Sequence, residues 1–212
     1  MGKPLLSRLR ADNSGISPVI GAILMLLLTI LLAGITVSCV YGNGFSDSLS
    51  KAPMAVIEVE SIEGGVPTEA KYKENYIVLL HKGGEPLHTG STKLIITGEG
   101  SAFIGLVANG DQARYGEVFI IYDHLGSAGK DNKYALLNQD LSDDKWSAGE
   151  KLILNGDDSS SSDSSITVKI NGLGNTSNNY GLKQGSIVNI KVFDIKTQKI
   201  IAECEHSVVL AR

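Results

Sequence analysis

The chain has 212 residues, of which 42% are hydrophobic and 20% are charged, and its formal net charge is −4. The first fifteen residues carry three basic side chains and one acidic side chain, so a leader of charge +2 precedes a body of charge −6. An acidic body without a basic cluster lacks the electrostatic footprint of phosphate-backbone binding, which excludes nucleic acid as an expected partner.

An uncharged apolar segment follows the basic leader. Residues 15 to 46 contain no charged side chain, and the roughly 26 residues from Ile16 to Tyr41 exceed the roughly 20 needed to cross a bilayer. A cleavable secretory signal has an apolar core of only about 7 to 15 residues, so this segment is predicted to stay in the mature protein as a membrane helix. The basic flank predicts, by the positive-inside rule, a cytoplasmic N-terminus and an external body.

The composition of this segment bears on how the helix begins and packs. Ser17 can cap it, and Pro18 suits the first turn, where its missing N–H would have no intrahelical partner. Small side chains allow other helices to approach closely, and Gly34 with Ser38 has the small-xxx-small spacing. Glycine and alanine are common in membrane helices, so composition alone explains these positions equally well. The candidate packing positions are Pro18, Gly21, Ala22, Leu26, Ala33, Gly34 and Ser38.

The body after Lys51 has the pattern of an all-β domain. Short β-branched runs recur between turn signals, which predicts about eight strands arranged as a sandwich. The expected fold is therefore a long N-terminal apolar α-helix followed by an all-β, immunoglobulin-like sandwich head domain, divided as residues 1–15, 16–51 and 52–212. The predicted strands are residues 55–61, 76–81, 93–98, 117–122, 151–154, 165–170, 187–194 and 200–209.

Alternation along these runs predicts which side chains face the core. Val188, Ile190 and Val192 alternate with polar residues, as a half-buried strand requires. In the last run Cys204 falls on the apolar face, which predicts a buried core thiol. Cys39 lies in the apolar segment, so the two cysteines are not expected to pair.

Glycine pairs and a polar tract predict turns and loops. Gly64-Gly65, Gly83-Gly84, Asn109-Gly110 and Asn155-Gly156 supply positive φ angles at little cost. The tract from Asp157 to Ser165 is hydrophilic and low in complexity, which predicts an exposed, mobile loop. Gly42-Asn43-Gly44 provides backbone freedom after the apolar segment, and we hypothesise that it is a joint between rod and head.

The sequence gives little support for any known catalytic motif, so neither an enzymatic activity nor a cofactor is expected. The nearest phosphate-loop pattern is residues 126–130 (GSAGK), but Asp131 follows where a magnesium-binding Ser or Thr is required. His81 precedes a predicted turn, where a structural hydrogen bond is favoured over metal binding.

Two aspartate groups could offer oxygen ligands to calcium, but solvated loops are the favoured interpretation because neither has EF-hand spacing. These groups are Asp140, Asp143 and Asp144, and Asp157, Asp158 and Asp163.

One acceptor sequence for N-glycosylation occurs. Asn175-Thr176-Ser177 has the N-x-[ST] pattern and lies in a segment rich in glycine and asparagine, which predicts an exposed loop. An unmodified surface asparagine explains the pattern almost equally well.

The junction between leader and helix resembles that of a known family. The string from Gly15 to Gly21 (GISPVIG), followed by AILMLLLTILL, is similar to the N-terminal signature of archaeal type IV pilins. Residues 76–87 (YIVLLHKGGEPL), 93–98 (KLIITG), 146–154 (WSAGEKLIL) and 182–202 resemble, in order, blocks of archaeal pilin ectodomains. Bacterial type IV pilins place a glutamate early in the helix, where this chain has Ile20, and archaeal flagellins usually begin differently.

The resemblance implies how such a chain is processed and used. A prepilin peptidase would cut between Gly15 and Ile16 on the cytoplasmic side, and the whole helix would remain in the mature subunit. Other pilin subunits, an assembly ATPase and a membrane platform would be its partners, together with the membrane before assembly. The product would be an adhesive filament on the cell surface. Archaeal pilins are often glycosylated, which the resemblance extends to Asn175.

Two other interpretations remain open at this point. The chain could be a singly anchored envelope protein whose sandwich binds a ligand or sugar and never polymerises. It could also be a low-abundance minor pilin, which the sequence does not separate from a major one.

Overall fold

The computed structural model describes residues 16–41, 51–105, 112–159 and 163–212. It divides the chain into two compact units, with the boundary just before Lys51. The leader with Gly15, the proposed joint at residues 42–44 and the predicted turn at Asn109-Gly110 lie outside the described residues.

The first unit contains one helix, α1, spanning Ile16–Tyr41. Aliphatic residues with good helix propensity fill it, and no charge interrupts it. Its two threonines are satisfied within the helix, because Thr29 Oγ1 donates to the Leu26 carbonyl at 2.8 Å and Thr36 Oγ1 donates to the Ala33 carbonyl at 2.9 Å. These two hydroxyls are therefore satisfied even in an apolar surrounding.

The second unit, Lys51–Arg212, is the all-β domain expected from the sequence, in which antiparallel sheets form a sandwich. One sheet has the strand order β12-β1-β2-β7, a second has the order β11-β10-β4-β5-β8, with β9 paired to β4, and β3 pairs with β6 in a two-stranded sheet. The strands are β1 (Ala55–Gly64), β2 (Tyr76–Gly84), β3 (Leu87–His88), β4 (Thr92–Phe103), β5 (Ala113–Tyr122), β6 (Lys145–Trp146), β7 (Lys151–Asn155), β8 (Ile166–Ile170), β9 (Gly181–Leu182), β10 (Ile187–Asp194), β11 (Lys199–Ser207) and β12 (Val209–Leu210).

All eight predicted strands are present, and period-two alternation places their apolar side chains between the sheets. In β10, Val188, Ile190 and Val192 are fully buried, while Asn189 and Lys191 face outward. The largest fully buried side chains in the described part of the head are Trp146, Tyr122, Tyr134 and Tyr180. The core is therefore built from both sheets.

Short elements join these strands. Beyond the predicted strands, the structure contains two-residue strands and a six-residue helix, α2, spanning Asn132–Leu137. Asp131 caps α2, since its side chain accepts a hydrogen bond from Lys133 N at 2.8 Å. In the described part of the head, 3₁₀ segments occur at Tyr72–Glu74, Thr89–Ser91 and Gln139–Asp143.

Two expectations need correction. Cys204 is only half-buried and packs at the edge of the core, where its thiol donates to the Ile57 carbonyl at 3.2 Å between β11 and β1. The tract from Asp157 to Ser165 is not a freely exposed loop where it is described, because Asp158 is 1% exposed and Ser165 N donates to the Gly129 carbonyl. Composition predicted exposure, whereas hydrogen bonds hold both ends of the tract; residues 160–162 lie outside the described part.

Candidate functional site

The apolar surface of α1 is left exposed in the described part of the chain. The 22 residues Pro18–Cys39 are long and apolar enough to cross a membrane, and none of this span is buried within the described structure. Each large aliphatic side chain left in water forgoes roughly 1.5 to 3 kcal/mol of burial free energy, so about a dozen of them forgo an amount beyond the stability of a typical domain. This surface requires lipid or another protein.

Small and hydroxyl-bearing residues form a stripe along one face of α1. At about 100° per residue, Pro18, Ala22 and Ala33 lie on one side of the helix, with Leu26 at one border of this face and Met25 and Gly21 at the other. Thr29 and Thr36 lie on the same face. We call Pro18, Ala22, Thr29, Ala33 and Thr36 the small-residue stripe. The sequence analysis missed the two threonines, although their seven-residue spacing would have placed them there.

Gly34 and Ser38 lie away from the small-residue stripe, so the candidate packing positions divide between two faces. A Cβ atom added at Gly21 or at Gly34 would meet no atom within 4 Å. Glycine in a helix interior costs roughly 0.5 to 1 kcal/mol relative to alanine, and no contact in the described chain requires the space. The open space at these glycines is available to a second molecule.

The junction predicted for processing lies at the beginning of α1. Ile16 is the first residue of the helix, while Gly15 is outside the described residues. The cleavage position therefore remains a prediction from the sequence.

The head carries an open cleft of about 890 Å³ on the outer face of the six-stranded sheet. Its lining includes Glu69, Glu99, Glu117, Glu205 and a single basic side chain, Lys183, so its formal charge is −3. We call these five residues and their surroundings the acidic cleft.

Two apolar side chains contribute to the acidic cleft and project into solvent. Tyr115 is 50% exposed and Ile187 is 66% exposed. Lys183 Nζ pairs with Glu99 at 2.7 Å, and this hydrogen bond lowers the pKa of Glu99, which keeps it ionised. The cleft therefore combines persistent negative charge with exposed apolar surface.

A buried polar network occupies the core near the end of β7. Asp158 Oδ2 accepts hydrogen bonds from Asn155 N at 2.6 Å and from the Tyr122 hydroxyl at 3.0 Å, and Tyr180 lies 3.0 Å from the Tyr122 oxygen. Asp158 Oδ1 is buried without a hydrogen-bond partner among the described residues. Burial raises the pKa of Asp158 to about 7, partly offset by its hydrogen bonds. The sequence analysis named Asp158 only as a possible calcium ligand in a solvated loop, because a polar tract does not predict burial.

The phosphate-loop pattern at residues 126–130 has a structural role. Lys130 is 8% exposed, and its Nζ donates to the carbonyls of His124 and Gly126 and to Ser165 Oγ. Burial lowers the pKa of Lys130 to about 8. The ammonium group is directed at the loop's own carbonyls, so it holds the loop together rather than meeting a phosphate.

His81 is a structural residue, as its position predicted. It is fully buried, its Nε2 donates to the Glu85 carbonyl at 3.1 Å, and its ring packs edge-on against Trp146. Within the described ranges, no group of three or more His, Cys, Asp or Glu side chains is placed to hold a metal ion.

The acceptor sequence for glycosylation lies against the free edge of β8. Asn175 is exposed, and its carbonyl accepts from Gly105 N at 2.9 Å. Thr176 Oγ1 donates to the Val168 carbonyl at 2.7 Å, which caps the edge of β8. The side chain of Asn175 is accessible, and the backbone around it is held in place.

Comparison with known proteins gives limited information. No protein-family model matches the chain. An uncharacterised protein of Archaeoglobus fulgidus is 32% identical over 92 residues, which are 43% of this chain and 58% of that protein. The match thus spans less than two thirds of that relative, whose name states no function.

Proposed function

We propose that this chain is the structural subunit of an archaeal type IV pilus, which is held in the membrane by α1 and then polymerises through it. The observation that carries the proposal is the unburied helix with its small-residue stripe, which begins at a junction resembling that of archaeal pilins. The sandwich head would coat the fibre and contact surfaces or other cells. The basic leader supports, by the positive-inside rule, an orientation with the N-terminus in the cytoplasm and the head outside.

The proposed mechanism is the transfer of α1 from lipid to a fibre core of like helices. Lipid tails solvate leucine as well as another helix does, so exclusion of water does not drive this step. Close packing along the small-residue stripe supplies favourable dispersion contacts, and the resemblance implies that an assembly ATPase and a membrane platform provide the work. A repeated heterologous contact produces an open helical polymer rather than a closed ring.

The N-terminus of the native protein tests this proposal. Mass analysis of purified fibres is expected to find subunits beginning at Ile16, while the membrane fraction also contains precursor beginning at Met1. Fibre subunits that begin at Met1, or beyond Tyr41, would show that the mechanism is wrong.

A variant at the junction tests the same step. Gly15→Val is expected to block processing and leave precursor in the membrane, because the peptidase of the similar family cuts after a small residue. Gly2→Val, in the same leader but away from the junction, is the matched control and should be processed normally. Normal fibres from Gly15→Val would contradict the proposed site.

One observation favours a second function. The acidic cleft, with Tyr115 half-exposed, is of a size that takes a small ligand, as expected for an anchored protein whose sandwich binds a ligand or sugar. Such a protein would retain residues 1–15 and would be absent from fibres. The mass analysis described above therefore distinguishes the two functions.

A further inference from the structure

A second open cleft lies at the end of the six-stranded sheet where β4 begins and where β5 and β10 end. Its volume is about 620 Å³, and it shares no lining residue with the acidic cleft. We call it the histidine cleft. Its polar lining residues with exposed or partly exposed side chains are His88, Ser91, His124, Ser127, Asp144 and Lys196.

Backbone hydrogen bonds fix the walls of the histidine cleft. Leu125 N donates to the Thr89 carbonyl at 2.8 Å, and Thr89 N donates to the Asp144 carbonyl at 3.0 Å. Ile195 N, in the turn after β10, donates to the Ser91 carbonyl at 2.8 Å. Four connections that are distant in sequence are thus bonded to one another, so the cleft is formed before any ligand arrives.

Two lysines give the histidine cleft a charge that favours an anion. Lys196 is exposed and forms no ion pair with a described residue. Lys130 is buried behind the wall of the cleft, where its Nζ donates to three neutral oxygens, one of which is the His124 carbonyl at 2.9 Å. Asp158 and Asp123 interact with this ammonium group but do not line the cleft. An anion in the cleft would therefore be attracted by two positive charges.

The histidine cleft also offers hydrogen-bond partners for hydroxyl groups. Asp144 is exposed, and its carboxylate has no hydrogen-bond or ion-pair partner among the described residues. Burial and the Lys130 ammonium lower the pKa of His124, so its imidazole is largely neutral near pH 7. Asp144 would repel a doubly charged phosphate, whereas a ligand with one negative charge and several hydroxyl groups would satisfy both kinds of partner.

We propose that the histidine cleft binds an acidic sugar, with the carboxylate of the ligand at Lys196 and its hydroxyl groups at Asp144 and Ser127. The ammonium group of Lys196 supplies a positive charge, and the Asp144 carboxylate accepts hydrogen bonds from sugar hydroxyls. The inference goes beyond the proposed function by giving the head a ligand. A role of this ligand in the adhesion of fibres rests on the proposed function.

Binding of glucuronate to the full chain tests the site. Titration calorimetry is carried out in a non-ionic detergent whose headgroup is not a sugar, and a dissociation constant of about 1 mM is expected for an open cleft and a ligand of this size. Glucose lacks the carboxylate, and acetate and inorganic phosphate lack the sugar hydroxyls, so each should bind at least about tenfold more weakly. Equal binding of any one of them would overturn the inference.

Variants of Lys196 test the position of the carboxylate. Lys196→Ala is expected to weaken glucuronate binding at least about tenfold, and Lys196→Arg should retain most of it, because the positive charge remains. Lys169→Ala, on an exposed residue outside the cleft, is the matched control. No effect of Lys196→Ala, or an equal loss in the control, would overturn the inference.

A variant of Asp144 tests the recognition of hydroxyl groups. Asp144 adopts φ of 64°, which glycine reaches without strain, so Asp144→Gly removes the carboxylate and leaves the backbone in place. It is expected to weaken glucuronate binding about fivefold without weakening the binding of acetate. Tighter binding of glucuronate would show that Asp144 only repels the anion, which overturns the inference.

The outcomes separate this inference from the proposed function. A chain that enters fibres normally but binds no glucuronate would overturn the site and leave the polymer intact. A chain that binds glucuronate through Lys196 and Asp144 but never enters fibres would support the site and overturn the proposed function.

Discussion

Asp158 joins parts of the head that are distant in sequence. Its carboxyl group contacts Asn155 at the end of β7 and Tyr122 at the end of β5, which belong to different sheets, and its carbonyl accepts from Asp131 N. A buried carboxyl with one unpartnered oxygen is destabilised in its charged form more than in its protonated form. The protonation state of this residue is therefore linked to the stability of the head.

The pKa of Asp158 predicts how stability depends on pH. Because burial raises this pKa from 3.8 to about 7, the folded head retains a proton that the unfolded chain releases above about pH 4. The contribution of Asp158 to the free energy of unfolding is fully present below the pKa of the unfolded chain. It falls as pH rises and levels off above about pH 7, and the total loss is up to about 4 kcal/mol. Urea unfolding between pH 4.5 and 7.5 measures the loss.

The variant Asp158→Asn removes the titration and should flatten this pH dependence by about 2 kcal/mol or more over the same range. Asp140→Asn, on an exposed residue, is the control and should leave the slope unchanged. Equal slopes for wild type and Asp158→Asn would contradict the assignment.

The side-chain amide of Asn75 makes hydrogen bonds that backbone groups would make in a regular sheet. Its Oδ1 accepts from Gly65 N and Leu182 N, and its Nδ2 donates to the carbonyls of Gly65 and Lys71. We predict that Asn75→Ala lowers the free energy of unfolding by about 3 kcal/mol, because several buried polar groups lose their partners. Chemical denaturation measures this, with Asn132→Ala on an exposed residue as the control. A loss below about 1 kcal/mol would show that water replaces the amide.

Individual buried polar residues were the least predictable from the sequence. Partners on β5 and β7 hold the Asp158 Oδ2 atom in the core, which a hydrophilic tract does not reveal. Cys204 was assigned to the correct face of its strand by alternation, but its degree of burial depends on how closely β11 lies to β1. Long-range packing determined both outcomes, and local pattern does not contain it.

At the scale of elements, long alternating strands were predicted well and short elements were missed. β10 has a strict period-two pattern, so the sequence identified the strand and its core face. β9, with only Gly181 and Leu182, forms because its backbone approaches β4 at Gly100, where a Cβ would collide with the Gly181 carbonyl. Two residues carry too little pattern to be recognised alone.

The small-residue stripe on α1 leads to a prediction about packing. We predict that Ala22→Leu reduces the yield of fibres by at least about tenfold while membrane insertion is unchanged, because overpacking a close helix contact costs about 1 to 3 kcal/mol. Leu27→Phe adds volume on the opposite face of the same helix and is the matched control. Fibre yield and membrane content are measured on the same cells. Equal reductions by both variants would indicate that the stripe is not the closest contact.

At the scale of the whole molecule, the helix and the head differ in how much of their apolar surface is buried. The buried apolar cluster of the head runs from Ile57 to Val208. The helix, in contrast, buries none of its apolar span within the described structure. Folding stability therefore belongs to the head, and the need for lipid or for other subunits belongs to the helix.

This division predicts the behaviour of the head without its helix. A chain comprising residues 51–212 should fold, remain soluble and monomeric, and unfold with a midpoint within about 2 °C of the full chain in detergent, since a change of 1 kcal/mol shifts the midpoint by about 2 to 4 °C. If the proposed function is right, it should not enter fibres when added to cells that assemble the full chain, because it lacks the helix through which subunits are proposed to polymerise. Calorimetry and labelling of purified fibres check the two parts. A much lower midpoint would show that α1 stabilises the head, and incorporation into fibres would place the principal assembly contact on the head instead.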